Sequence, residues 1–194
     1  MSAQISDHVL IGIKNSQTKP ISFEYASLIQ DGIIHPCEKD SRIPLKGHPG
    51  YSHNESQILG QMLGNYISMK FTNIAPTSET IIKATLKDFW IEQFSYDSSG
   101  KQAVAALIGG ETNIILVSNL QVEFEIFKQG QKLASKNIKF SADKSYVSGI
   151  GTRTSTSRIY KGQDSIDFRL AEAINSANNM VLVNLNQFLE SNQF

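Results

Sequence analysis

The C-terminal part of the chain carries the longest helical pattern of apolar residues. Between Asp164 and Glu190 apolar side chains recur every three or four positions, with no Pro or Gly, so they fall on one side of a helix. The residues of this stripe are Ile166, Leu170, Ile174, Ala177, Val181, Leu185, Phe188 and Leu189. A helix of this kind predicts a partner layer that covers the stripe.

A second helical pattern begins near Ser52. Ser52 and Glu55 have the spacing of a capping box, in which each side chain satisfies a free amide at the start of a helix. Two adjacent apolar rows follow, formed by Ile58, Leu59, Met62, Leu63, Tyr66 and Ile67. The pattern predicts an amphipathic helix that ends near Lys70.

Alternation with a period of two predicts a long strand over residues 80–96. Its apolar side contains Ile82, Ala84, Leu86, Trp90, Phe94 and Tyr96. Phe89 and Ile91 break the alternation, so we expect a bulge or burial on both faces near residues 88–91. We expect Trp90 in the core, whereas Tyr96 remains open between the core and a stacking surface.

Further strands are predicted on both sides of this one. Residues 114–127 alternate cleanly, and residues 133–142 return after a hairpin connection at 128–131. In the first of these strands, Leu120, Val122, Phe124 and Ile126 should face the helices, and Glu123 and Glu125 should face solvent. Residues 8–14 predict a short buried strand, and residues 21–29 are a weaker second candidate. Residues 101–112 fit a strand or a helical turn equally well.

These elements predict a two-layer α+β sandwich, with an antiparallel sheet of about four strands packed against two long helices. We expect a single domain over residues 1–194, with loops at 31–51 and 143–163.

Composition narrows the function only a little. Eighteen basic and eighteen acidic side chains give no net charge, which argues against a nucleic-acid binder that neutralises many phosphates. The single cysteine, Cys37, excludes an internal disulfide and a zinc site built from several cysteines. The first residues do not resemble a signal peptide, and no stretch is apolar enough for a membrane span. If Met1 is the natural start, a cytoplasmic location is expected.

Two loops contain residue types that can carry chemistry. Metal-binding residue types gather between residues 35 and 53, namely His35, Cys37, Glu38, Asp40, His48 and His53. Their spacing matches no standard site, so a polar loop is the simpler interpretation. The alternative is a small metal-dependent or thiol hydrolase that uses this loop. Residues 149–158 contain Gly149, Gly151, Arg153 and Arg158 and could contact a phosphate, but they lack the lysine of a P-loop. We assign no catalytic, cofactor-binding or metal-binding residue.

Several stretches resemble the YajG family of bacterial envelope lipoproteins over roughly residues 55–190. The resemblance lies in the helix Glu55-Ser-Gln-Ile-Leu-Gly-Gln-Met-Leu, the strand Ile82-Lys-Ala-Thr-Leu, the hairpin Val122-Glu-Phe-Glu-Ile-Phe-Lys-Gln-Gly-Gln-Lys and the helix Asp167-Phe-Arg-Leu-Ala-Glu-Ala-Ile-Asn. It implies a periplasmic domain tethered to a membrane through an N-terminal lipid-bearing cysteine, in an export segment that this sequence does not include. It implies no catalytic residues.

The expected function is therefore a non-enzymatic binding or assembly module of the cell envelope, without a cofactor. The expected partner is another envelope protein or a second copy of the chain, not a nucleic acid. We expect contact through a sheet edge or through the loops at 31–51 and 143–163.

Overall fold

The computed structural model describes residues 20–29, 55–95, 111–149 and 166–194. The elements in chain order are β1 (Ser22–Ser27), α1 (Glu55–Lys70), β2 (Thr80–Ser95), β3 (Glu111–Lys128), β4 (Gln131–Gly149) and α2 (Ile166–Ser191). The predicted helices and long strands are therefore confirmed, and the weak pattern at 21–29 is also a strand.

The four strands form one sheet in the order β1-β2-β3-β4. β2, β3 and β4 are antiparallel, but β1 pairs with β2 in parallel, from Ser22 with Ile81 to Ser27 with Leu86. The two-layer α+β sandwich is confirmed, whereas the expectation of an entirely antiparallel sheet is wrong. The reason is that α1 lies between β1 and β2 in the chain, and a connection through a helix allows the second strand to run in the same direction as the first.

Both helices pack on the same face of the sheet and share one core. On β3 the predicted inward residues Leu120, Val122, Phe124 and Ile126 are fully buried. The ring of Phe124 stacks on that of Phe188 in α2, with centroids 5.9 Å apart. The apolar side of each helix is thus covered by the same side of the sheet.

The start of α1 fits closely against β1. A Cβ atom on Gly60 would lie 2.7 Å from Cδ1 of Tyr25, so the tyrosine ring occupies the space that a side chain would need. The hydroxyl of Tyr25 lies 3.4 Å from Oγ of Ser56, one turn earlier in the helix. Any side chain at position 60 would require the ring of Tyr25 to move.

β2 contains a bulge that changes which side chains face the core. Leu86 pairs with Val122 and Asp88 with Gln121, so Lys87 is the extra residue. Beyond it, Phe89 pairs with the buried Leu120 and is itself only 9% exposed. The predicted irregularity near 88–91 is confirmed.

Trp90 is consequently not in the core, where we expected it. It pairs with Asn119, on the side of the sheet opposite to the helices, and its side chain is partly exposed. The physical reason is that one inserted residue reverses the alternation for the rest of the strand.

The hairpin between β3 and β4 turns at Gln129 and Gly130, where φ is 51° and 77°. Positive φ at both positions is typical of the tight turn whose twist matches that of the strands. β4 then runs to Gly149, so residues 143–149 belong to a strand and not to the predicted loop. Pairing with the long partner β3 extends β4 through a stretch whose own apolar pattern is weak.

Other predictions lie outside the described residues. These are the strand at 8–14, the loop at 31–51, residues 101–110 and the remainder of the loop after Gly149.

Candidate binding surface

The side of the sheet opposite to the helices, here called the open face, carries mostly polar side chains. No helix or strand among the described residues packs on it. Its side chains lie in four successive rows, each made of paired residues from β2, β3 and β4 in that order. The rows are Lys83, Glu125 and Ser135; Thr85, Glu123 and Asn137; Asp88, Gln121 and Lys139; and Trp90, Asn119 and Ser141.

Ion pairs organise one half of the open face. Lys87 Nζ lies 2.6 Å from Glu123 Oε2, and Ser135 donates to Glu123 Oε1 at 3.3 Å. The hydrogen bond from Lys87 lowers the pKa of Glu123. Lys132 pairs with Glu125, which lies on the predicted side but is only 8% exposed because its neighbours cover it.

The other half of the open face is centred on the bulge. Asp88 is fixed because its Oδ1 accepts a hydrogen bond from the amide of Phe89 at 2.9 Å. The bulge thus places Lys87, Asp88 and Trp90 together on one side of a central strand, next to Gln121 and Asn119 of β3. Bulges commonly re-aim side chains near functional sites.

Asn119 has an unusual environment within this half. It is 5% exposed, and its Oδ1 accepts a hydrogen bond from Ser141 Oγ at 2.6 Å. Its Nδ2 is buried without a hydrogen-bond partner in the described structure. A buried donor of this kind costs about 1–3 kcal/mol unless something supplies an acceptor.

A second polar site lies between the helices, at the start of α1. Glu55 is 5% exposed, and burial raises the pKa of its carboxyl to about 8, against an opposing contribution from the neighbouring Asn178. Neither side-chain polar atom of Asn178, which is fully buried, makes a hydrogen bond of good geometry. At neutral pH the site therefore holds a protonated carboxyl group beside an amide.

A third polar cluster joins the C-terminal parts of the two helices, and its polar groups are well hydrogen-bonded. Asn186 Oδ1 accepts hydrogen bonds from Tyr66 at 2.5 Å and from Lys70 Nζ at 2.9 Å, and its Nδ2 donates to Glu190 at 2.9 Å. Burial lowers the pKa of Lys70, with Glu190 opposing, and burial raises the pKa of Tyr66. The start of α1 lies beside Asn178 in the middle of α2, and the end of α1 lies beside Asn186, closer to the C-terminus of α2. The two helices therefore run in the same general direction. A structural role explains this cluster fully.

The loop residues considered from the sequence are not tested by this geometry. The set His35, Cys37, Glu38, Asp40, His48 and His53 lies outside the described residues, as do Gly151, Arg153 and Arg158. Elsewhere, in the ranges that are described, no three His, Cys, Asp or Glu side chains are grouped as metal ligands would be. The described helices include none that is long and apolar enough to cross a membrane.

Sequence reasoning missed the bulge-centred half of the open face. The signal was present in the broken alternation at Phe89 and Ile91, which predicted an irregularity near residues 88–91 but not that it turns Trp90 to the open face. Tyr96 lies outside the described residues, so its role stays a prediction.

No protein-family model and no curated protein matches the chain. Among solved structures, it is similar to a neuraminyllactose-binding hemagglutinin homolog of Helicobacter pylori, with 13% identity, 91% of this chain and 88% of that chain covered, and a TM-score of 0.51. The two chains share a fold.

Looser similarities are to two bacterial lipoproteins. A minor lipoprotein of Acinetobacter baumannii gives a TM-score of 0.41 at 11% identity, with 90% of this chain and 92% of that chain covered. The rare lipoprotein B of Shewanella oneidensis gives a TM-score of 0.40 at 12% identity, with 89% and 96% covered.

Proposed function

We propose that this chain is a non-enzymatic binding or assembly domain of the bacterial cell envelope, anchored at a membrane on the periplasmic side as in YajG-like lipoproteins. The observation that carries the proposal is the open face, where a bulge in a central strand turns Trp90 away from the core. Tryptophan is enriched among residues that dominate binding energy. The name of the Helicobacter pylori protein, which describes a binding protein, supports a binding role.

The open face is a better contact surface than the β4 edge of the sheet. The edge strand β4 carries Lys132, Lys136 and Lys139. Lysines on an edge strand oppose pairing with a further strand, and they would repel each other if two copies met edge to edge. We therefore place the contact with envelope components on the side chains of the open face.

The experiment compares the two faces of the domain in a Cys37→Ser background. Asn137→Cys places a thiol on the exposed open face, and Val183→Cys places one on the outer side of α2, where Val183 is 40% exposed. Each thiol is modified with a bulky maleimide, and co-sedimentation of the protein with isolated bacterial envelopes is measured. Modification at position 137 should abolish co-sedimentation, and modification at position 183 should leave it intact.

Equal effects at the two positions would contradict the assignment of the open face. Absence of co-sedimentation for the unmodified protein, together with recovery of the natural gene product in the cytoplasmic fraction, would refute the envelope role itself.

A further inference from the structure

We propose that the patch formed by Asp88, Trp90, Asn119, Gln121 and Ser141 binds a neutral saccharide, an inference that rests on the binding role proposed above. The patch is built by the bulge at Lys87. Without the inserted residue, the alternation that buries Leu86 would also bury position 90. The irregularity in a central strand therefore has the specific result of bringing an indole ring to the open face.

Trp90 provides an apolar plane with a polar edge. Its side chain is partly exposed and lies in the same row as Asn119 and Ser141. Sugar rings present a face of C–H groups surrounded by hydroxyls, so they stack on aromatic planes while their hydroxyls bind neighbouring amides. An aromatic surface with a few convergent polar groups matches these two requirements.

Asn119 gives an independent indication of a ligand. Its Oδ1 is already used by Ser141, while its Nδ2 is buried without a partner in the described structure. Because Nδ2 is buried, a ligand hydroxyl beside Trp90 reaches it only when the side chains around it move aside, and the hydroxyl then supplies the missing acceptor. Gln121, in the next row, donates its Nε2 to Asn137 at 3.2 Å and offers its amide oxygen to a second hydroxyl.

The charges around the patch favour a neutral ligand. Lys87 and Lys139 are balanced by Asp88 and Glu123, and Lys87 is already paired with Glu123 at 2.6 Å. An anionic ligand would therefore gain no net attraction. Since neighbouring strands are about 4.8 Å apart, the row from Trp90 to Ser141 extends about 10 Å. This length suits a short oligosaccharide lying across the strands.

The chain contains one tryptophan, so fluorescence excited at wavelengths that only tryptophan absorbs reports on Trp90 alone. The full chain is titrated with chitotetraose and maltotetraose as neutral probes and with sialyllactose as an anionic probe. At least one neutral probe should give a saturable change in emission, with a Kd in the millimolar range or tighter. Asn119→Ala and, separately, Gln121→Ala should each weaken that response about tenfold while thermal unfolding by circular dichroism stays cooperative. Val183→Ala, on the outer side of α2, should retain the response.

No saturable change with any neutral probe up to about 10 mM overturns the proposal. So does a response to sialyllactose alone, or an unchanged response in both the Asn119 and the Gln121 variants. If saccharide binding fails while co-sedimentation with envelopes still depends on position 137, the ligand class is wrong and the envelope role stands. Loss of both refutes the two proposals together.

Discussion

At the scale of single residues, two glycines of α1 provide a matched comparison. A Cβ on Gly60 would meet the ring of Tyr25 at 2.7 Å, whereas a Cβ on Gly64 would meet no atom within 4 Å. Gly60→Ala should therefore destabilise the fold by about 1–3 kcal/mol through overpacking. Gly64→Ala should stabilise it by about 0.5–1 kcal/mol, because alanine favours the helix. Urea unfolding of both variants measures the two effects, and a shift of the same sign in both would contradict the close packing at Tyr25.

Phe89 and Trp90 are adjacent in sequence but lie on opposite sides of the sheet. Phe89→Ala should cost about 3–5 kcal/mol, because it leaves a cavity beside Leu120. Trp90→Ala should cost no more than about 1.5 kcal/mol, because part of the ring is already in contact with water. Urea unfolding of the two variants measures both losses of stability. A larger loss of stability for Trp90→Ala than for Phe89→Ala would mean that the bulge lies elsewhere in β2.

The buried carboxyl of Glu55 predicts a dependence of stability on pH. Its pKa is raised from 4.5 to about 8 in the folded protein. Between these two values the folded state holds a proton that the unfolded state releases. The contribution of the protonated carboxyl to the free energy of unfolding is therefore complete below about pH 4.5 and is lost as the pH rises towards about 8. Glu55→Gln lacks the titration, so its stability relative to the natural chain should rise between about pH 5 and about pH 9. Urea unfolding at several pH values in this range measures the difference in free energy of unfolding between the two proteins. A difference that does not change with pH would mean that the carboxyl is ionised throughout.

At the scale of elements, the contact between the two helices depends on two asparagines with different surroundings. Asn186→Ala removes the acceptor of both Tyr66 and Lys70 and should destabilise the protein by about 1–3 kcal/mol. Asn178→Ala removes an amide whose hydrogen bonds are largely unmade, so its cost should be smaller by about 1 kcal/mol or more. Thermal unfolding of the two variants tests this order, and a greater loss at position 178 would show that the amide is well bonded to Glu55.

The elements themselves could be predicted from the sequence where a periodic pattern was long. The stripe from Ile174 to Leu189 and the alternation from Leu120 to Ile126 each fix an element and the side that it buries. The end of β4 could not be predicted, because residues 143–149 are held by pairing with β3 and not by an apolar period. The parallel pairing of β1 depends on its partner strand, which a local pattern does not specify.

The candidate site was harder to predict than the fold, because its members meet only after folding. Asn119 and Trp90 are neighbours through strand register, and that register depends on the single extra residue at Lys87. Glu55 fits a capping box in the sequence, but its burial beside Asn178 results from the packing of α2 against α1. The broken alternation at Phe89 and Ile91 indicated an irregularity, but the spacing of residues does not show which side chains become neighbours across strands or helices.

At the scale of the whole molecule, contacts differ greatly in the length of chain that they enclose. β3 and β4 meet through the turn at Gln129 and Gly130, whereas β1 reaches β2 only across the entire segment that contains α1. Hydrogen–deuterium exchange should therefore show earlier exchange for amides of β1 than for those of β3, which is paired on both sides. Equal protection in the two strands would mean that β1 opens only when the whole domain unfolds.

The parallel position of β1 also has a consequence for the order of folding. Closing a long loop costs more conformational entropy than closing a tight hairpin, so contacts between residues distant in sequence tend to form later. The antiparallel hairpins of β2, β3 and β4 can form first and offer an apolar platform to α2. β1 and α1 would then join as a late unit, fixed by the contact of Tyr25 with Gly60. During synthesis, which proceeds from the N-terminus, β1 is made before its partner. It must therefore stay unpaired until β2 has been made.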